Sequence, residues 1–478
     1  MKNKISCQLF ILLTIFLLLY SCKNLNIINR SENKTVPTVY NSNKSDTINS
    51  AKVQWRSFYK NPYLVSLIDT ALSHNQELNI ILEEIKISNN EVRARRGAYL
   101  PFLFGGAGSG VDKVGRYTSQ GASDASSEIV PGKLVPEALP NFVLGVNMSW
   151  EIDVWRKLRN ARKAALHKYL STIEGKNFMV TNLIAEIANS YYELIALDNQ
   201  LEILKANIEI QKNALEIVKL QKIAAKVTEL AVKKFEAEVL KNQSHVNYLM
   251  QQITIVENRI NFLVGRFPQP VARNSTGFID FSISEIQAGI PSQLLQNRTD
   301  IKKAENELIA SKLDVQVARA EFFPSFMITS GIGFNAFNPK FLLKTPESML
   351  INLAGDMVAP LINRNALKAN FYTANSKQIQ AIFNYERSVL NAYIEVYNGI
   401  SNLENLKISF ENKQNQVQTL IESVDISTTL FKSARADYME VLMTQRDALD
   451  SKFELIEIKK QQLNAVVNLY KALGGGWR

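Results

Sequence analysis

The residues that could do chemistry are few and lie far apart in the sequence. The three histidines, His74, His167 and His245, lack the spacing of metal ligands. Two acidic pairs, Glu83-Glu84 and Glu151/Asp153, fall on a predicted helix surface and at a predicted strand end, where solvation explains them better than acid–base catalysis. Neither a P-loop nor a G-x-S-x-G motif occurs in the sequence. We therefore expect no enzymatic activity, no metal centre and no cofactor.

Cys22 is the residue with a predicted covalent modification. A basic start followed by the apolar run Leu9–Leu19 is typical of a secretory signal. The run ends on Leu19-Tyr20-Ser21-Cys22, which resembles the lipobox of bacterial lipoproteins and implies cleavage before Cys22 and acylation of it. We assign residues 1–21 to a lipoprotein signal peptide and residues 22–60 to a lipid-anchored tether, whose first part has the composition of a flexible linker. The alternative is an ordinary signal peptide with an incidental cysteine.

The overall composition limits the class of protein further. With 46% hydrophobic and 21% charged residues, the 478-residue chain is expected to fold rather than stay disordered. Removal of the signal would leave one cysteine, so no disulfide could form within the chain. The formal net charge of +10 is scattered along the sequence without a basic run and interleaved aromatics, so no nucleic-acid partner is expected. No later segment approaches the eighteen or so apolar residues of a membrane helix, so any further crossing must use strands.

Each half of the chain carries a predicted long helical hairpin. Apolar residues recur every seven positions from Val389 to Phe431, which predicts a coiled-coil helix over 365–431. After a break at 433–437, a returning seam follows. The first half repeats this arrangement, with an arm that begins at Arg156 and a break at 224–228. Arms of about 65 residues would reach about 100 Å, so we expect them to span distance.

Four segments alternate between apolar and small or polar residues, as strands do. They are 102–111, 141–153, 325–335 and 349–357. Four strands cannot close a barrel, and an open edge cannot sit in lipid because its backbone groups would go unpaired. Three chains would give a 12-stranded barrel, which is a size found in bacterial outer membranes. The alternative is a small soluble sheet that caps a coiled-coil tether.

These elements predict an internal twofold repeat. The seam of a helix over about 64–98 recurs 223 positions later, as does the strand entry that follows it. Residues 61–270 form the first repeat, 271–290 a linker and 291–478 the second, each with a helix, two strands and a hairpin. The predicted fold is an α+β membrane protein: a trimeric 12-stranded transmembrane barrel continuous with a periplasmic coiled-coil barrel.

Several short motifs occur in an order that is characteristic of one family. They are Tyr99-Leu100-Pro101, Trp150-Glu151-Ile152-Asp153-Val154-Trp155, Phe322-Phe323-Pro324, Pro360-Leu361-Ile362, the segment from Ala436 to Arg446 and Leu473-Gly474-Gly475-Gly476-Trp477. Together they resemble the TolC-like outer membrane efflux proteins, specifically the lipoprotein branch that serves RND pumps. The resemblance implies a homotrimer in the outer membrane that extends into the periplasm. It also implies a membrane fusion adaptor and an inner-membrane RND transporter as partners, and passive conduction of solutes.

The resemblance also implies functional positions. Asp425 occupies the place of the inward acidic residue at the closed aperture. Contacts with the adaptor are expected at the hairpin tips: Ala225, Val227, Thr228, Glu229, Leu230, Ala434, Asp437, Tyr438 and Val441. Family members usually have Gly where this chain has Arg156, Arg364, Ala225 and Ala434. A type I protein secretion duct and a non-conducting envelope tether stay open as alternative functions, and the cargo is not specified.

Overall fold

The computed structural model describes residues 30–40, 48–282, 285–433 and 435–478. The predictions for the signal peptide, for Cys22 and for Ala434 lie outside the described residues. The chain divides into two compact units. The strand unit contains Lys86–Leu170 and Asn306–Ile382, with residues 30–31, and the hairpin unit contains Glu32–Ile85, Ser171–Glu305 and Phe383–Arg478. Within the described ranges, no helix is both long enough and apolar enough to cross a membrane.

Helices account for most of the fold, and strands are confined to the strand unit, as expected for an α+β protein. The helices are α1 (Trp55–Phe58), α2 (Pro62–His74), α3 (Gln76–Ala98), α4 (Ser119–Asp124), α5 (Lys157–Ile223), α6 (Glu229–Leu263), α7 (Leu294–Asn297), α8 (Thr299–Ala320), α9 (Asn365–Lys432) and α10 (Tyr438–Ala472). The strands are β1 (Phe102–Asp112), β2 (Glu128–Val130), β3 (Lys133–Leu134), β4 (Leu139–Ile152), β5 (Ser325–Ala336) and β6 (Met349–Val358).

The strand unit is built on one antiparallel sheet of four strands in the order β1-β4-β5-β6. Its register places Val146 opposite Ile332 and Ile332 opposite Ile351, so one face presents a continuous apolar row. The predicted loop between β1 and β4 contains α4 and the separate β2–β3 hairpin. All four predicted strands are therefore present, and consecutive strands pair in the sheet.

The hairpin unit has its main core around the middle of α5. Ile187, Tyr191 and Leu194 are completely buried there, together with Leu64 and Ile68 of α2. Trp55 and Tyr59 belong to the same core, with 6% and 3% of their surface exposed. The core therefore includes two aromatic residues of the predicted tether, because their side chains gain more from burial than from exposure.

Part of the predicted tether also packs on α9. The Tyr40 ring stacks on Tyr393 with centroids 5.5 Å apart and is 4% exposed. The Lys34 ammonium lies 2.9 Å from a Glu305 carboxylate oxygen, and the Asn33 N–H donates to Glu386 at 3.1 Å. Residues 33–40 are therefore a docked strap, contrary to the flexible linker that their composition suggests.

The helix predicted over 64–98 is two helices, because Asn75 interrupts it. Asn75 has an extended backbone with ψ of 124°, and its side-chain oxygen accepts the Leu78 N–H at 2.8 Å as the N-cap of α3. Its side-chain amide donates to the Leu263 carbonyl at 2.9 Å. Helix α6 ends at that same Leu263, and Gly265 follows in the left-handed region with φ of 72°.

Two residues with positive φ precede the long helices. They are Arg156, with φ of 60°, before α5, and Asn363, with φ of 52°, before α9. Arg364, where family members usually have Gly, directly follows Asn363. Asn is the more favourable residue for this conformation because its short polar side chain tolerates the left-handed region.

Candidate functional site

The first hairpin tip is closed by backbone hydrogen bonds that follow α5. The Lys226 N–H donates to the Gln221 carbonyl and the Ala225 N–H to the Lys222 carbonyl, both at 2.9 Å. Ala225 has φ of 56°, so this is a Schellman closure with alanine in the position that usually holds glycine. The left-handed turn is formed at Ala225 despite the Cβ atom.

The second tip has the same closing bond, 209 positions later. The Arg435 N–H donates to the Leu430 carbonyl at 2.9 Å, and α10 begins three residues beyond Arg435. Asp437 is its N-cap and Thr228 is the N-cap of α6, and neither side chain makes a capping hydrogen bond. Both N-cap side chains are exposed and free to bind a partner.

The structure brings the two tips into one hydrophobic cluster. Val227 from the first tip and Phe431, Tyr438 and Met439 from the second pack against the same buried residues. The buried members are Leu215, Val218, Ala231, Val232, Phe235 and Leu442. The two tips therefore form one composite surface at one end of the hairpin unit, which we call the tip surface: residues 222–230 and 435–440.

The exposed part of the tip surface is amphipathic. Leu230 is 59% exposed, and Ile223, the last residue of α5, is 83% exposed. Glu229 forms an ion pair with Lys222, and the hydrogen bond from Lys222 lowers the pKa of the Glu229 carboxyl group. Val441 differs from the other predicted contacts, because it is 4% exposed and belongs to the interior of the tip.

Asp425 lies on α9 two turns before the second tip, with its side chain exposed. Its backbone carbonyl accepts the Thr429 hydroxyl at 2.9 Å, and the neighbouring Ile426 is 60% exposed. No basic side chain within the described ranges lies at ion-pairing distance from the Asp425 carboxylate. The Asp425 carboxylate is therefore exposed on the surface of the single chain and could attract cations.

The sheet presents a second candidate surface, opposite its apolar face. Asn147 and Asn352 flank Gly331 across β4, β5 and β6. A Cβ atom on Gly331 would lie 2.5 Å from the Asn147 amide oxygen and 2.8 Å from that of Asn352. Glycine therefore leaves room for both amides, and this face presents polar groups that suit contact with water.

Strand β1 departs from the expected separation of faces. Phe102 pairs with Ser149 and Phe104 pairs with Asn147, so the two aromatic rings share the polar face. Their ring centroids are 6.0 Å apart. Residue type alone could not predict this, because strand direction and register decide which face a side chain joins.

Metal ligands do not cluster in the described part of the chain. Among those residues, no group of three or more His, Cys, Asp or Glu side chains could hold a metal ion. His167 lies 2.9 Å from the Asn306 side-chain oxygen, and His245 lies between the rings of Tyr248 and Phe453. Both histidines therefore have packing partners that account for them.

We predict that Ala225→Gly stabilises the first tip. A left-handed alanine costs about 1 kcal/mol relative to glycine, because its Cβ crowds the following carbonyl oxygen. The substitution should raise the melting temperature of the helical circular dichroism signal slightly and protect the amides of residues 221–226 from hydrogen exchange. Ala224→Gly, next to it in the same turn, is the control and should destabilise, since residue 224 needs no positive φ. A gain from both substitutions would contradict the prediction.

Comparison with known proteins gives consistent matches over most of the chain. A family model described as "Outer membrane efflux protein" matches residues 67–266 and 290–475. The pyoverdine export outer membrane protein OpmQ of Pseudomonas aeruginosa is 26% identical over 425 residues, which cover 89% of this chain and 88% of OpmQ. The cation efflux system protein CusC of Escherichia coli is 25% identical over 448 residues, which cover 93% of each. The crystal structure of the open state of the Neisseria gonorrhoeae MtrE outer membrane channel matches with a TM-score of 0.83 at 21% identity, covering 95% of this chain and 98% of that one.

Proposed function

The chain belongs to the outer membrane efflux protein family and is thus an outer-membrane channel component of an efflux system; from this premise we propose that three copies close one 12-stranded barrel. The barrel would conduct solutes passively, and the hairpins of the three chains would extend its lumen into the periplasm. A non-conducting tether is the less favoured alternative, because the members of this family are efflux channels.

The observation that carries this proposal is the open four-stranded sheet. Every residue of β1 and of β6 is exposed, and neither strand has a second neighbour among the described strands. Val146, Ile332 and Ile351 form an apolar row in which the side chains are 49%, 58% and 66% exposed. An apolar sheet with two open edges is stable in lipid only if β1 of one copy pairs with β6 of the next.

Cysteine cross-linking tests the closure. A cysteine at Ala107 in β1 is combined with single cysteines from Leu350 to Ala354 in β6, in a chain that also lacks Cys7. One register should give disulfide-linked trimers in isolated outer membranes. Leu144→Cys in β4, which lies opposite Ala107 in the same chain, is the control and should give an intrachain disulfide and no linked trimers. Purified wild-type protein should also produce stable conductance in planar bilayers. Monomers without conductance would contradict the proposal.

The tip surface is our candidate for docking an adaptor that connects the channel to an inner-membrane RND transporter. It is amphipathic, exposed and built from both hairpins, and the names of CusC and OpmQ describe them as parts of an efflux system and an export route. A photo-cross-linking residue at Leu230 or Asp437 should capture a co-expressed adaptor. The same residue at Leu240, which is 60% exposed on the side of α6, is the control and should not. Equal capture at all three sites would contradict a specific tip contact.

We predict that Asp425→Ala changes conduction. A ring of three carboxylates would attract cations and narrow the aperture, so the alanine variant should conduct roughly twofold more and select less for K⁺ over Cl⁻. Single-channel recording in planar bilayers measures both quantities. Glu411→Ala, two heptads earlier on the same face of α9, removes the same charge away from the tip and should leave both unchanged. Identical currents for wild type and Asp425→Ala would remove Asp425 from the gate.

Acylation of Cys22 and the identity of the cargo complete the proposal. Intact mass spectrometry should show a mature chain that begins at Cys22 and carries acyl groups.

OpmQ is named for pyoverdine and CusC for cations, so relatives with similar sequence identity to this chain are named for different solutes. The cargo of this channel is therefore set by the transporter that feeds it.

A further inference from the structure

Four helix–strand junctions lie at the same end of the sheet. Strands β1 and β5 begin just after α3 and α8, whereas β4 and β6 end just before α5 and α9. The register pairs Phe102 with Ser149 and Ser325 with Val358, so these starts and ends are neighbours. We call this region the junction collar: residues 91–101, 151–168, 312–325 and 359–368, all within the strand unit.

The junction collar carries most of the net charge of the protein. It contains thirteen Lys and Arg residues against five Asp and Glu residues, a net charge of +8 in a chain whose formal net charge is +10. In the sequence these residues fall in four separate stretches, and the interpretation that the basic residues are scattered is wrong at the level of the fold. The sheet gathers them because its antiparallel order returns each junction to the same end.

Most of the collar carboxylates are already neutralised. Glu91 pairs with Arg95, Glu151 with Lys157, Asp153 with Arg159, and Asp314 with Lys168. Seven basic residues lack a carboxylate within 4 Å in the part of the chain that the structure describes: Arg93, Arg96, Arg156, Arg162, Lys163, Arg319 and Lys368. All seven are exposed, so their charge faces whatever surrounds the collar.

Helix stability does not account for this charge. The first turns of α5 and α9 contain no acidic residue, and Asp153, which precedes α5 and accepts the Leu158 and Arg159 N–H groups, also pairs with the Arg159 side chain. Arg156, Arg162 and Lys163 lie at the start of α5, where they oppose the positive end of the helix dipole. These three cations therefore add nothing to the stability of the helix.

Aromatic and aliphatic side chains lie exposed in the same collar. The Trp155 ring stacks on Phe323 with centroids 4.7 Å apart, and its indole N–H donates to the Pro324 carbonyl at 2.8 Å. Trp155 is 44% exposed, Leu361 is 69% exposed and Ile362 is 90% exposed. A cavity of about 350 Å³ opens beside Trp155 and Phe323 and is also lined by Lys157 and Leu367. Basic residues beside exposed aromatic rings are typical of a membrane interface.

We propose that the junction collar binds the headgroups of anionic phospholipids in the periplasmic leaflet of the outer membrane. The inference rests on the proposed function, because the collar reaches that leaflet only if the sheet spans the membrane. The unpaired cations recognise the phosphate and the negative lipid charge, while Trp155, Leu361 and Ile362 contact the upper acyl chains. If the cations instead bound a solute in the lumen, the exposure of these apolar side chains would have no explanation.

Native mass spectrometry of lipid retention tests the inference. Purified protein is reconstituted in an equimolar mixture of phosphatidylglycerol and phosphatidylcholine, stripped with detergent and weighed with its bound lipids. Wild type should retain phosphatidylglycerol over phosphatidylcholine by about fivefold or more. The triple variant Arg93→Gln, Arg162→Gln, Arg319→Gln should fall below about twofold, and the matching Arg→Lys variant, which keeps the charge, should stay close to wild type.

A matched variant and a second measurement complete the test. Lys205→Gln, Lys234→Gln, Lys407→Gln removes the same charge from exposed positions of the hairpin unit and should keep the preference. The preference should weaken from 0.1 M to 1 M NaCl. Equal retention of both lipids by a wild-type trimer that conducts would overturn the inference alone, whereas failure to form a conducting trimer would overturn the proposed function. Altered ion selectivity in the collar variant with unchanged lipid retention would place the charge in the lumen and also overturn the inference.

Discussion

Arg298→Ala is expected to destabilise the hairpin unit by about 3 kcal/mol, because it removes a buried cation that holds two carboxylates and a backbone carbonyl together. The Arg298 side chain is 6% exposed. Its guanidinium donates to both Asp300 oxygens at 2.9 and 2.6 Å, to Glu395 at 2.5 Å and to the Ala472 carbonyl at 3.0 Å. Burial opposes the charge, but the bonds to Asp300 and Glu395 outweigh it and raise the pKa of Arg298. One side chain thus joins the start of α8 to α9 and to the end of α10.

Thermal melts followed by helical circular dichroism measure this loss, which should lower the transition by roughly 5 °C. Arg259→Ala is the matched control. Arg259 also faces two carboxylates, Glu186 at 3.3 Å and Glu193 at 3.7 Å, but it is 50% exposed and should cost less than about 1 kcal/mol. The double variant Arg298→Met, Asp300→Asn should be more stable than Arg298→Met, because it also removes the stranded charge. Equal melting temperatures for Arg298→Ala and Arg259→Ala would contradict the prediction that the buried Arg298 contributes more to stability than the exposed Arg259.

The long helices could be predicted from the sequence almost to the residue. The expected range 365–431 compares with Asn365–Lys432 in the structure, and the expected break at 433–437 lies directly before Tyr438. A seven-residue repeat sustained from Val389 to Phe431 contains enough apolar contacts to indicate a long coiled-coil helix and where it ends. The break near 224–228 was located equally well, since the repeat stops there.

Features that depend on one side chain or on chain pairing could not be predicted in this way. The break at Asn75 depends on a capping bond of 2.8 Å and on a contact with Leu263, which is 188 residues away. The junction collar depends on strand order, which brings four stretches of sequence to one end of the sheet. The packing of the two tips against each other joins residues separated by about two hundred positions. Local patterns contain no information about such contacts until the topology is known.

The candidate site shows the same division. Motif resemblance indicated both tips and Asp425 as functional positions, and in the structure residues of both tips pack against one cluster, with both N-caps exposed. The resemblance did not indicate that Val441 is buried inside the tip, because a heptad pattern does not distinguish a contact within one hairpin from a contact with a partner. The roles of Asp425 and of the tip residues stay predictions that conductance and cross-linking measure.

The ends of the long helices explain why glycine is required at one place and dispensable at another. Helix α10 ends with the same closure as α5: the Gly475 N–H donates to the Tyr470 carbonyl at 3.0 Å and the Gly474 N–H to the Lys471 carbonyl at 2.9 Å. The left-handed position is Gly474, with φ of 93°, and at the first tip it is Ala225, with φ of 56°. Ala225 is exposed, so its Cβ points into open space, whereas Gly474 lies against the chain that precedes α8.

Gly474→Ala is therefore expected to cost about 3 kcal/mol, well above the cost of a left-handed alanine alone. A Cβ atom there would lie 2.7 Å from both the carbonyl carbon and the oxygen of Asn297 and 3.0 Å from the Arg298 nitrogen. These are backbone atoms, so relief requires α8 to move away from α10 and weakens the bond between Arg298 and Ala472. The melting temperature should fall, and the amides at the start of α8 should exchange faster.

Gly277→Ala separates the two contributions to that cost. Gly277 has φ of 69°, but a Cβ atom there would meet nothing within 4 Å, so this variant carries the conformational penalty without the collision. It should cost about 1 kcal/mol and leave exchange at α8 unchanged. If Gly474→Ala and Gly277→Ala have the same melting temperature, the close approach of Gly474 to residues 297–298 does not contribute to stability. If Gly474→Ala has a much lower melting temperature than Gly277→Ala, the contact between the C-terminal glycines and residues 297–298 explains why a glycine run follows α10, whereas the hairpin tip accepts alanine.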